Sequence, residues 1–126
     1  MFKLIIFLLF PIIMYGQAFK SSATAHIIES YEIEFMERTI EISEDEIIIT
    51  SHGKEYKDIQ TLNVVNIEEK EFGNFGFCSW YYCNTKNLHG SEKLVIVPKQ
   101  KNPKQLSIFE PSKDGASTKE FRIILD

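Results

Sequence analysis

The chain has 126 residues, with 18 acidic against 14 basic side chains, a formal charge of −4 with neutral histidine, ten Phe, five Tyr and a single Trp. That length suits one domain with one modest core. An acidic chain has no overall attraction to nucleic acid or to an anionic membrane surface, so neither is an expected partner.

Met1-Phe2-Lys3 is followed by an apolar run from Leu4 to Tyr15 and then by Gly16-Gln17-Ala18. This is the charged, apolar and small-residue layout of a secretory signal peptide. The run is shorter than the roughly 20 residues of a bilayer span, and Pro11 interrupts it, so cleavage rather than anchoring is expected. Residues 1–18 are therefore read as the leader, with the cut after Gly16 or after Ala18. Residues 19–126 form a single β domain, exported to the periplasm or beyond, with no stable membrane insertion once the leader is removed.

The mature chain consists of short β-branched and aromatic runs separated by turn residues, which predicts strands joined as hairpins. Ala25 to Phe35 reads as a first strand with Ile33 and Phe35 on one face between Glu32 and Glu34. Thr39 to Ser43 follows, then a Glu44-Asp45 turn and Glu46 to Thr50, whose continuous Ile47-Ile48-Ile49 predicts cover on both faces. Ser51-His52-Gly53-Lys54 turns the chain into Glu55 to Ile59 and Thr61 to Glu69. Gly73-Asn74 suits a two-residue hairpin loop, which would pair Ile67 with Trp80 and Val65 with Tyr82. Glu92 to Val97, Leu106 to Glu110 and Lys119 to Leu125 complete the pattern. In the last of these, Phe121, Ile123 and Leu125 share the face expected to close or edge the sheet.

Seven or eight strands at this spacing predict an all-β fold, an antiparallel meander forming a small barrel or sandwich, with a Greek key as the other topology. The hairpin cadence from Thr39 to Ile59, together with export, resembles small lipocalin-like β-barrel proteins exported by Gram-negative bacteria. That resemblance implies a barrel holding a small apolar ligand. The Gly-x-Trp signature near the start of true lipocalins is absent, since the one Trp is Trp80 in mid-chain.

Phe75 to Cys83 concentrates the aromatic residues. Trp80, Tyr81 and Tyr82 are the candidate binding residues, because Trp and Tyr join a large apolar area to a polar handle. The competing reading is a central strand buried on both faces, with Trp80 in the core. Cys78 and Cys83 are separated by five steps of one strand, roughly 16 Å, and point to opposite faces. A disulfide needs Cα atoms within about 7 Å, so no bridge between them is expected. Neither their spacing nor that of His26, His52 and His89 forms a metal or redox motif, and no Ser sits in a nucleophile motif. No catalytic residue, metal or cofactor is implied.

Eight acids between Glu29 and Glu46 face Arg38 alone, whereas Lys86, Lys93, Lys99, Lys101 and Lys104 dominate later. This asymmetry reads as the solvated face of amphipathic strands, or as opposed surfaces that steer a protein partner. The function expected from the sequence is non-enzymatic: an exported binding or interaction module for a protein of unknown identity, or a carrier of a small apolar ligand.

Overall fold

A computed structural model describes residues 16–27, 31–85, 92–111 and 118–126. The apolar run through residue 15, Lys86, His89 and the Asp114-Gly115 turn lie outside the described residues. Eight strands follow in chain order: β1 (Gln17–Ile27), β2 (Tyr31–Ile42), β3 (Glu46–His52), β4 (Lys57–Glu71), β5 (Phe77–Thr85), β6 (Glu92–Pro98), β7 (Gln105–Pro111) and β8 (Thr118–Leu125). Each pairs antiparallel with the next, and β1 pairs with β8, so the sheet is one closed up-and-down barrel. The meander expected from the hairpin cadence is therefore present, as a barrel and neither as a sandwich nor as a Greek key. The last strand does close the sheet, through Thr24↔Ile123 and Ala25↔Arg122.

The side-chain period of two sends alternate residues inward. Ile40 and Ile42 of β2, Ile47 and Ile49 of β3, Leu62 of β4, Val95 and Val97 of β6, Leu106 and Ile108 of β7, and Ile123 and Leu125 of β8 meet in one buried cluster. Phe19, Val64, Tyr81 and Phe121 pack around it, half-buried. These side chains fill the interior at one end, here called the base, where the β2–β3, β4–β5 and β6–β7 connections lie. In the Ile47-Ile48-Ile49 run, the outer two are buried and Ile48, on the outer wall, is only half-covered.

Three sequence expectations need correction. The expected strand from Ala25 to Phe35 is two strands, because the chain reverses between Ile27 and Tyr31, which pair with each other. Ile33 and Phe35 do share a face, but it is the outer wall and not the core side: Ile33 is 45% and Phe35 81% exposed. Their parity is fixed further along β2, where buried Ile40 and Ile42 take the even positions inward, leaving Ile33 and Phe35 outside and carrying Glu34 and Arg38 in.

The third correction concerns the β4–β5 hairpin. Its connection is a 3-10 turn at Gly73–Phe75, closed by Phe72 N–H donating to the Gly76 carbonyl at 3.0 Å, rather than a two-residue loop. Gly73 and Gly76 both take positive φ, of 53° and 71°, which suits residues without a Cβ. The longer turn shifts the register by one, so Glu68 faces Trp80, Ile67 faces Tyr81 and Asn66 faces Tyr82. A one-residue slip exchanges the two faces of a strand. An irregularity between Val64 and Asn66 then restores the original register at Val64↔Cys83, so Val65 has no partner on β5.

The start of β1 bears on the two cleavage positions expected from the sequence. Gln17 pairs with Ile42 and Ala18 with Glu41, so a cut after Ala18 would remove two rungs of the barrel and a cut after Gly16 would remove none. If the apolar run is removed as a leader, N-terminal sequencing of the processed chain is accordingly expected to start at Gln17. A start at Phe19 would show that these two pairs are dispensable.

Candidate functional site

Opposite the aliphatic base, the barrel interior becomes polar. A cavity of about 230 Å³ opens there, lined by β1, β2, β3, β4, β6, β7 and β8. Its floor is apolar, formed by Ile49, Leu62, Ile108 and Ile123, and its walls carry Thr24, His26, Arg38, Ser51, Asp58, Gln60, Lys93, Glu110 and Phe121. The rigid element here is the closed ladder itself, which holds side chains from seven strands around one space.

Two local features of the sequence aim these groups inward. In β1 an irregularity between Ser21 and Ala23 resets the strand so that Thr24 lies opposite Glu34. The buried Ser21 hydroxyl stabilises this distortion by donating to the Ile124 carbonyl at 2.6 Å and accepting the Ala23 N–H at 3.2 Å. In β2, the alternation set by Ile40 and Ile42 brings Arg38 into the barrel and Glu34 after it.

Arg38 organises the upper wall. Its Nε donates to Ser51 Oγ at 2.9 Å, one terminal nitrogen donates to Thr24 Oγ1 at 2.7 Å, and the other lies 3.0 Å from Glu34 Oε1. A guanidinium offers five N–H donors, and these three bonds use three of them. Glu34 Oε1 is also 3.1 Å from His26 Nε2, and the His26 ring meets Phe121 edge-on at 5.1 Å. Hydrogen bonds from His26 and then Arg38 hold the Glu34 carboxyl below its ordinary value of 4.5. On the other side, Lys93 Nζ lies 2.7 Å from Glu110 Oε2, with both side chains largely covered. Positive and negative groups thus face one another across a narrow, walled space.

Trp80, Tyr81 and Tyr82 are not brought together. Tyr81 points inward near the base and packs on the core, where burial pushes its phenol up. Trp80 and Tyr82 lie on the outer wall of β5. Trp80 is not in the barrel core: it is half-buried, donates through Nε1 to the Lys70 carbonyl at 3.2 Å, and lies under the Lys70 ammonium at 4.5 Å from the ring centre. Phe72 meets both Trp80 and Phe109 edge-on, at 5.7 and 5.9 Å, and stacks on Phe75 at 6.0 Å. The 3-10 turn thus folds an aromatic cover over the outside of the wall, where Ile96 is buried. Tyr82 donates its hydroxyl to Glu68 at 2.8 Å, beside an outer groove of about 360 Å³ between Val65, Leu94 and Phe109.

Cys78 and Cys83 are buried free thiols of one strand. Burial raises the Cys78 thiol and pushes that of Cys83 up to about 11, which leaves little nucleophilic thiolate at neutral pH. Thiol labelling of the folded protein is therefore expected to be slow, with two groups per chain reacting on unfolding without reductant. Rapid labelling of one thiol in the native state would contradict this placement. Among the described residues, no three His, Cys, Asp or Glu side chains converge as a metal site.

Sequence reasoning missed the mouth residues. Arg38, Lys93 and Glu110 each continue the buried parity of their strand beyond its aliphatic members: Ile40 and Ile42, Val95 and Val97, Leu106 and Ile108. A charge at the end of an inward-facing row, repeated on several strands, was the available signal. No protein-family model matches the chain, and no curated protein matches its sequence.

Proposed function

We propose that the chain is an exported, non-catalytic binding module that holds a small polar ligand carrying both charges, such as an amino acid or a short peptide, in the open end of its barrel. The observation that carries this reading is the charged cavity itself, walled by seven strands and floored by apolar side chains. Its volume is below the roughly 300–1,000 Å³ typical of sites for drug-sized ligands, which favours a small occupant. Arg38 and Lys93 suit a carboxylate; Asp58 and Glu110 suit an ammonium. The same lining favours a polar ligand over an apolar one, because an apolar molecule would leave these groups desolvated without new partners.

Export rests on Lys3, the Leu4 to Tyr15 run and the small residues after it. A water-soluble form after cleavage is supported by the aliphatic interior and by Glu37, Glu41, Asn63, Asn84 and Arg122 on the outer wall, opposite to the lipid-facing pattern of a membrane barrel. A binding role rather than catalysis is favoured by the raised thiols, which hold little thiolate at neutral pH.

Native mass spectrometry of the protein recovered from its exported fraction tests this function. The expected result is a small-molecule adduct released on denaturation, with the emptied protein gaining thermal stability from amino acids or dipeptides at about 1 mM, a concentration that reports even weak binding. A ligand-free protein whose melting is unchanged by that panel would contradict the proposal.

A further inference from the structure

Strand β4 is longer than its neighbour β3. The β3–β4 ladder ends at Glu46↔Asn63, followed by one further bond from Val64 N–H to the Asp45 carbonyl. Beyond Val65, which has no partner on β5, Asn66 to Glu71 pair on their other side with β5, while among the described residues no strand pairs with the side vacated by β3. All seven residues from Val65 to Glu71 are exposed. The barrel therefore closes without removing every edge.

The hydrogen-bond phase of that edge follows from the turn. Phe72 N–H bonds to the Gly76 carbonyl, so the Phe72/Gly76 rung is a hydrogen-bonded pair. Antiparallel rungs alternate, which directs the N–H and C=O groups of Lys70 and Glu68 toward β5 and those of Glu71, Glu69 and Ile67 outward. Three donors and three acceptors are thus presented in the row that an added strand would use.

We propose that this edge pairs with the same edge of a second copy of the chain, antiparallel and two-fold symmetric about Glu69. In that register Glu69 meets its counterpart and Ile67 meets Glu71 of the other copy, making about six backbone hydrogen bonds. The charges choose the register. Glu68 and Lys70, already 3.2 Å apart within each copy, lie opposite Lys70 and Glu68 of the other and so join into one four-charge cluster of alternating sign, whereas centring on Glu68 or Lys70 would oppose like charges. The Glu69 pair at the centre is neutralised within each copy by Lys99, whose Nζ lies 2.8 Å from Glu69 Oε1. Because β4 runs from Asp58 at the mouth toward the base, the two ligand cavities stay open at the far ends of the dimer. An interface of one strand pair is small, so the association is weak and concentration-dependent.

Sedimentation velocity of the mature protein over a range reaching about 1 mM tests this pairing, at concentrations where weak association is visible. A monomer–dimer equilibrium is expected. Glu69→Pro should abolish it, since the proline removes an outward N–H and leaves the β5 ladder intact. Glu68→Lys and Lys70→Glu should each be monomeric, but their equimolar mixture should form a heterodimer, an outcome that local misfolding would not produce. A wild-type monomer at every concentration would overturn the proposal, as would a dimer indifferent to these substitutions. Hydrogen-exchange protection of the Ile67, Glu69 and Glu71 amides in a persistent monomer would assign the edge to another segment instead.

Discussion

Leu62→Ala should destabilise the barrel by about 3 kcal/mol, within the range of fully buried Leu→Ala changes. Leu62 is completely buried, packs in the aliphatic cluster and forms part of the cavity floor, so its removal joins the mouth to a void in the core. For a domain whose total stability is of order 5–15 kcal/mol, this is a large fraction, and it should lower the melting temperature by roughly 15 °C. Ile59 is the control. It lies three residues away on the same strand with the opposite parity and is 60% exposed, so Ile59→Ala should change stability by about 0.5 kcal/mol or less. Denaturant unfolding followed for both variants checks the inward parity of β4. Equal losses at the two positions would contradict it.

Arg38→Leu should have the largest effect on the mouth. It removes the donors to Ser51 and Thr24 and leaves Glu34 with only His26 beside the cavity. Stability should fall by about 2 kcal/mol at neutral pH, a value kept low because the Glu34 end of the ion pair is well exposed to solvent. Ligand affinity should fall about 100-fold, the loss of one or two charge-assisted hydrogen bonds.

The stability difference should depend on pH in a defined direction. Glu34 is held below its ordinary value of 4.5 in the folded state, so its contribution is present above that value and is lost as pH falls through the lower folded value. The gap between wild type and Arg38→Leu should therefore narrow as pH falls below about 4.5, the reference carboxylate value, leaving the part that comes from the Ser51 and Thr24 hydrogen bonds. Thermal melts from pH 7 to 3 check this, and a gap that stays constant to the acid limit would place the Arg38 contribution elsewhere. Arg38→Lys should recover part of the affinity and little of the geometry, since an ammonium cannot supply the three-way fork.

The antiparallel meander was legible because strand alternation and turn residues are local signals. Ile40 with Ile42, and Ile123 with Leu125, announce inward rows that survive in the barrel. The hairpin register was not legible in the same way, since it depends on how Phe72 to Gly76 closes and on the irregularity at Val65. The turn goes with a packing contact: Phe72 folds onto Trp80 and Phe109 across the outer wall, which no spacing rule within the hairpin specifies.

The aromatic segment misled for a related reason. Aromatic density points to a core strand as well as to a binding surface, and β5 divides its residues between inside and outside by simple alternation. The charged mouth was hidden because each of its members looks ordinary alone. Arg38 reads as one base among acids, Lys93 as one of several lysines and His26 as a loop residue. Only barrel closure places β1, β2, β6 and β7 around one space, and closure is a long-range property of the whole chain.

The most direct test of the binding account is a two-dimensional amide NMR titration of the mature protein with a panel of α-amino acids and dipeptides. Saturable shifts confined to Thr24, His26, Arg38, Ser51, Gln60, Lys93 and Glu110, and lost in Arg38→Leu, are the predicted result. Shifts restricted to the outer groove at Val65, Tyr82 and Phe109, or a mouth unchanged at about 10 mM of every probe, far above any useful Kd, would contradict it.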